Sequence, residues 1–123
     1  MIVVRTGTGR ILIGEHLLPH TGDKCRAHVP FSQCVIISDS NVAPPFAHRV
    51  SRSLASAGFH PTLITIPAGE KSKTLQQVSA ICDRMIAAGL DRKSFVVGLG
   101  GGMIGDISGF VAAIYQRGIP HVQ

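Results

Sequence analysis

Three apolar runs set the rhythm of the chain: Cys34-Val-Ile-Ile-Ser38, Thr62-Leu-Ile-Thr-Ile66 and Ser94-Phe-Val-Val-Gly-Leu99. Each is rich in β-branched residues and bounded by turn formers, the pattern of strands buried on both faces. Between the second and third runs the period changes. Leu75, Val78, Ile81, Cys82, Met85 and Ile86 recur every three or four positions, which predicts an amphipathic helix. Thr74 with Gln77 forms a capping box before it, and Gly89 closes it. Val42 to Ala57 reads as another helix, with Pro44 and Pro45 in its first turn and Gly58 as its stop. A third helix is predicted over Met103 to Gln116, and Ile119 to Val122 begins a further strand. At the front, Ile2 to Arg5 and Arg10 to Ile13 flank Thr6-Gly-Thr-Gly9, a β-hairpin signal, and Glu15 to His20 suits a helical turn. Strand and helix thus alternate three times after a hairpin. That predicts an α/β, Rossmann-like fold: a mostly parallel sheet with helices on both faces.

Composition narrows this picture. At 123 residues the chain is the size of one domain with a modest core. Fourteen glycines and seven prolines suit a turn-rich α/β domain better than a helical bundle. The net charge is +5, but the basic residues are scattered, no run exceeds two, and no aromatic residues are interleaved with them. This argues against nucleic acid as a partner and permits phosphorylated metabolites. Three cysteines, Cys25, Cys34 and Cys82, share no C-x-x-C spacing and point to idle thiols in a reducing cytosol. Nothing resembles a signal peptide, and no apolar stretch approaches membrane-spanning length, so a cytoplasmic protein without a membrane partner is expected. The last residues, Ile119-Pro-His-Val-Gln123, stop inside a strand-like segment, so the chain reads as a piece of a longer polypeptide.

The candidate chemistry sits where apolar runs end. Gly100, Gly102 and Gly105 fit G-x-G-x-x-G between a strand and a helix. Such glycines let backbone amides approach a diphosphate at a positive helix end, but tight helix–sheet packing produces the same pattern. Two more loops leave strands at the same sheet edge: Asp39-Ser-Asn41 and Pro67-Ala-Gly-Glu-Lys-Ser-Lys73. They carry carboxylates able to accept ribose hydroxyls and ammonium groups able to meet phosphate. Each loop has a plainer reading, Asp39 or Ser40 as a helix cap and Glu70 with its lysines as a solvated turn. Convergence of the three on one edge favours a nucleotide site.

These loops, with Gly-Arg-Ile-Leu-Ile-Gly14, Gly89-Leu-Asp-Arg-Lys93 and the long block from Gly98 to Gly118, resemble the N-terminal domain of 3-dehydroquinate synthase and its sugar-phosphate cyclase relatives. Met103 stands where that family usually has Val. The resemblance implies an NAD-dependent phosphate lyase whose first domain, here residues 1–123, binds NAD. Asp39 and Asn41 would hold the adenosine end. Ala68, Gly69, Glu70, Lys71, Ser72 and Lys73 would form the ribose and nucleotide loop. Gly102, Met103, Ile104, Gly105 and Asp106 would form the diphosphate turn. Arg117 would reach the substrate of a neighbouring subunit in a homodimer, against the plainer reading of a cation at a helix C-terminus. The phosphorylated sugar-acid substrate and a zinc or cobalt ion would be held mainly by a second, helical domain absent from this chain. No metal site and no catalytic residue beyond Arg117 is expected here, since His16, His20, His28, His48, His60 and His121 show no ligand spacing such as H-E-x-x-H. A related cyclase, a stand-alone NAD-binding module and a glycerol-type dehydrogenase are the competing readings.

Overall fold

The computed structural model describes residues 1–123. Ile2–Arg5 (β1) and Arg10–Ile13 (β2) pair antiparallel around the Thr6–Gly9 turn, where Thr6 N donates to Gly9 O at 2.9 Å. The remaining elements are Thr21–Arg26 (α1), Gln33–Asp39 (β3), Ala43–Ser56 (α2), His60–Ile66 (β4), Leu75–Ala87 (α3), Ser94–Leu99 (β5), Gly102–Ile114 (α4) and His121–Val122 (β6). Short 3-10 turns at Leu18–His20, Glu70–Ser72 and Tyr115–Arg117 complete the chain.

β3 to β6 form one parallel sheet in the order β4-β3-β5-β6. Side chains alternate across it and both faces are covered, so β3 is buried from Cys34 to Asp39. Val35, Ile37, Ile64, Ile66 and Val96 face α3 and α4 in a core of 16 residues. Cys34, Ile36, Phe95 and Val97 face α1 and α2 in a core of nine. β4 is the outer strand and tolerates Pro61, which supplies no amide to a ladder. The chain moves outward from β3 to β4 and then returns past β3 to β5. The direction of winding reverses between β3 and β5, and there the carboxyl ends of the strands open a crevice.

Both predicted helix stops hold, with Gly58 at φ +90° and Gly89 at φ +79°. Thr74 Oγ1 accepts from Gln77 N at 3.0 Å, half of the capping box read from sequence. Two elements differ from expectation. The last helix ends at Ile114 rather than Gln116, because Gln116 (φ +48°) and Arg117 (φ +66°) adopt left-handed backbone. Arg117 is therefore no cation at the last turn of a regular helix. The second difference is α1, which sequence periodicity did not indicate. Six residues are too few to show a period, and tertiary contacts hold it. Gly22 N donates to Ser53 Oγ at 2.9 Å, Arg26 donates to Ala57 O, and the Arg26 guanidinium lies 3.8 Å over the Phe59 ring.

The hairpin stands apart. Ile2, Val3, Val4, Ile11 and Ile13 are exposed, and of the two strands only Leu12 is half-buried.

Candidate functional site: a glycine cradle at the switch point

The segment from Gly98 to Asp106 leaves β5 at the switch point and enters α4. Its glycines have separate reasons. A Cβ on Gly100 would stand 2.8 Å from the Ile104 side chain, so this glycine permits close packing of turn on helix. A Cβ on Gly101 or Gly102 would meet nothing within 4 Å and would project into open space. A Cβ on Gly105 would stand 2.9 Å from Oε1 of Gln123. Packing and ligand access, alternatives in the sequence, are both present at different positions of one motif.

No side chain caps α4. Its first amide bond within the chain is Gly105 N donating to Gly101 O at 3.0 Å, which leaves the N–H groups of Gly102, Met103 and Ile104 without a protein acceptor. Those donors and the helix dipole make an anion site in which Met103 and Ile104 contribute amides only, their side chains being buried in the core. The cavity over this end is about 370 Å³ and is lined by Gly98, Gly100, Gly101, Gly102, Gly105, Asp106 and Gln123. A diphosphate fits such a surface: donors point at it and no Cβ stands in the way. A second concavity of about 370 Å³ adjoins it across Asp106, walled by Leu75, Val78, Ile107 and Phe110.

The three loops are physically joined. Ser38 Oγ donates to Leu99 O at 2.7 Å, tying the end of β3 to the end of β5. Ala68 N donates to Ser40 Oγ at 2.9 Å, and Ser40 N donates to Ile66 O at 2.9 Å, tying the β3 loop to the β4 loop. Lys73 Nζ donates to Asp106 Oδ2 at 2.7 Å and lies 4.0 Å from Glu70 Oε2, tying the β4 loop to α4. The hydrogen bond and the charge of Asp106, with Glu70 behind them, raise the Lys73 ammonium above the usual lysine range.

Asp39 is buried at the end of β3, and its Oδ1 accepts from Asn41 N at 2.8 Å and Val42 N at 2.9 Å. These bonds hold the turn that leads into α2 rather than the helix itself, whose first residues receive no side-chain cap, and Oδ2 accepts from no group of the chain. Asn41 is exposed beside it. In the second loop Gly69 takes φ +104° and turns the chain toward Glu70, while Lys71 is exposed. Ser72 is buried with its hydroxyl donated to Pro67 O, so it shapes the loop from within. Asp39, Asn41, the Ala68–Lys73 loop and the Gly102–Asp106 turn all lie at the carboxyl edge of the sheet.

Arg117 does not join them. α4 runs back across the sheet for 13 residues, roughly 20 Å. Arg117 follows it at the opposite edge. Gly98 and Gln123 line the cradle and were not singled out in the sequence; a lone Gln in an edge strand carries no local signal. Nowhere in the chain do three His, Cys, Asp or Glu side chains gather as a metal would need. No helix is long and apolar enough to cross a membrane.

Known proteins can now be set beside this geometry. Residues 63–123 match the family described as 3-dehydroquinate synthase N-terminal. The 3-dehydroquinate synthase of Desulforamulus reducens is 51% identical over 113 residues, covering 92% of this chain and 32% of that protein. That of Symbiobacterium thermophilum is 43% identical over 114 residues, with the same coverage of 92% and 32%. The chain thus spans about a third of the length of these relatives. Among solved structures, a 2-deoxy-scyllo-inosose synthase complexed with carbaglucose-6-phosphate, NAD+ and Co2+ superposes with a TM-score of 0.79 at 30% identity, over 91% of this chain and 31% of that one. The parallel sheet, the glycine turn at its switch point and the aligned sequence agree, and the chain belongs to the 3-dehydroquinate synthase family, aligned with that family's N-terminal domain.

Proposed function

We propose that this chain is the NAD-binding domain of a 3-dehydroquinate synthase, a cytoplasmic enzyme of the shikimate pathway for aromatic amino acids. The observation that carries this reading is the side-chain-free end of α4, where three amides lack acceptors and Gly101 and Gly102 leave room for a diphosphate. The amides of Gly102, Met103 and Ile104 bind that diphosphate. Asp39, through Oδ2, and Asn41 hold the adenosine end. Glu70, Lys73 and Asp106 border the cradle and take ribose hydroxyls and phosphate, with Ala68, Gly69, Lys71 and Ser72 shaping their loop.

Bound NAD would supply a reversible hydride acceptor for a secondary hydroxyl of 3-deoxy-arabino-heptulosonate 7-phosphate, the chemistry that loss of phosphate from that substrate would need. The role of this domain in that chemistry is to hold and orient the cofactor. Substrate groups and a divalent metal, zinc or cobalt, belong to a second domain. In a homodimer Arg117 would serve the neighbouring subunit's substrate; its place at the edge opposite the cradle supports a role outside this chain's own nucleotide site. The likeness to 2-deoxy-scyllo-inosose synthase favours one second reading, a related cyclase acting on another sugar phosphate.

The test is made on the full-length protein by calorimetric titration with NAD+ and a phosphate-release assay followed also for NADH. NAD+ binding and phosphate release from the heptulosonate phosphate, with no net NADH, are expected, and the 123-residue domain alone should release none. Phosphate release from a different sugar phosphate alone would identify the related cyclase. Accumulating NADH would identify a dehydrogenase. No NAD+ binding would overturn the reading.

A further inference from the structure

The cradle wall contains two side chains, and only one can donate a hydrogen bond. Asp106 is a carboxylate, an acceptor that disfavours an anion, and its Oδ2 is already engaged by Lys73. Gln123 carries a neutral carboxamide with two N–H donors. It donates to no group of the chain.

Its position is built rather than incidental. His121 in β6 and Gln123, directly after it, both turn their side chains onto α4. α4 presents Gly105, Ser108 and Gly109 along one stripe, spaced three and four residues apart. His121 seats at its far end: its Nε2 lies 2.9 Å from Ser108 Oγ in a hydrogen bond, and a Cβ on Gly109 would stand 3.3 Å from its ring. Gly98 on β5 completes the floor, since a Cβ there would strike Ser108 Oγ at 2.3 Å. Gln123 seats at the near end, its carboxamide over Gly105. The missing side chains of Gly98, Gly105 and Gly109 thus admit two polar side chains, His121 from β6 and Gln123 just past its end. His121 finds a protein partner, whereas Gln123 reaches the cavity without one.

We infer that Gln123 is a cofactor contact whose carboxamide donates to the bound diphosphate beside the amides of Gly102, Met103 and Ile104. The inference rests on the nucleotide reading above. It assigns the third glycine of the motif a specific purpose, clearance for that carboxamide.

The experiment compares the full-length protein with Gln123→Met, which keeps length and removes the donor, and Gln123→Glu, which adds a charge. NAD+ and ADP-ribose are titrated by calorimetry, and thermal midpoints are recorded. Loss of one hydrogen bond to a charged group predicts a rise in Kd of about tenfold or more for Gln123→Met, equal for both ligands, with a larger rise for Gln123→Glu and unchanged midpoints. An unchanged Kd in Gln123→Met overturns the contact while leaving the nucleotide reading in place. A loss confined to NAD+ overturns the diphosphate assignment, because ADP-ribose retains that group. A loss accompanied by a lower midpoint assigns Gln123 to packing and likewise overturns it. If the unmodified protein binds neither ligand, the nucleotide reading falls first.

Discussion

At the scale of single residues, glycine identity means different things at different places. Gly22 in α1 passes so near α2 that a Cβ would stand 2.0 Å from the Ser53 carbonyl oxygen. Backbone cannot yield as a side-chain tip can. Gly22→Ala should destabilise the fold by about 1–3 kcal/mol or more, read as a lower urea midpoint. Gly101→Ala adds the same methyl to open space at the mouth of the cradle. It should leave the urea midpoint nearly unchanged while weakening NAD+ binding. Composition pointed to idle thiols, and the burial of Cys25 and Cys34 acts in the same direction. The Cys34 thiol is pushed up to about 12 by burial, then by neighbouring Cys25, so little thiolate forms near neutral pH. The single-residue signal that sequence could not carry was Gln123, since an edge-strand glutamine gains meaning only from the helix stripe it faces.

At the scale of elements, periodic segments were legible and short ones were not. α2, α3 and β5 follow the sequence pattern within a residue or so because each has several turns or a full buried run to express a period. α1 has no such length, and the end of α4 was set by left-handed Gln116 and Arg117, residue types that announce no stop. The hairpin was legible in the sequence as a pair of strands. The pattern predicted the pairing but not where the hairpin sits, and β1 and β2 are exposed except for half-buried Leu12. Two strands alone are marginal in water, and strands this exposed add little to the fold. Deleting residues 1–13 should therefore shift the thermal midpoint of this domain by no more than a degree or two, on the order expected for a few tenths of a kcal/mol. A large drop would show that the hairpin supports the sheet after all.

At the scale of the whole molecule, the Lys73–Asp106 pair joins two segments 33 residues apart and holds the β4 loop against the cradle. Its pH dependence has a definite sign. The folded Lys73 value is raised, so its contribution is fully present below the ordinary lysine range and is lost as pH rises through the raised value. Titration of Lys73 by NMR should give a midpoint above that of the other lysines, and Asp106→Asn should return it toward them. The pair is solvent-exposed, so high salt should weaken the effect.

Sequence by itself determined the α/β alternation, the parallel sheet and the three loops, because apolar period and glycine placement are local properties that survive in one dimension. Asp39, Asn41, Glu70, Lys73 and the Gly100–Asp106 turn were legible as candidates for the same reason. Tertiary structure alone decided which glycines face open space and which face protein, that Asp39 ties the turn before α2 and keeps one oxygen free, and that Arg117 lies at the edge remote from the cradle. It also decided that Gln123 enters the cradle. Each of these depends on what stands opposite a residue across the sheet or the helix groove, and that neighbour is set by the reversal of winding between β3 and β5 rather than by any residue nearby in the chain.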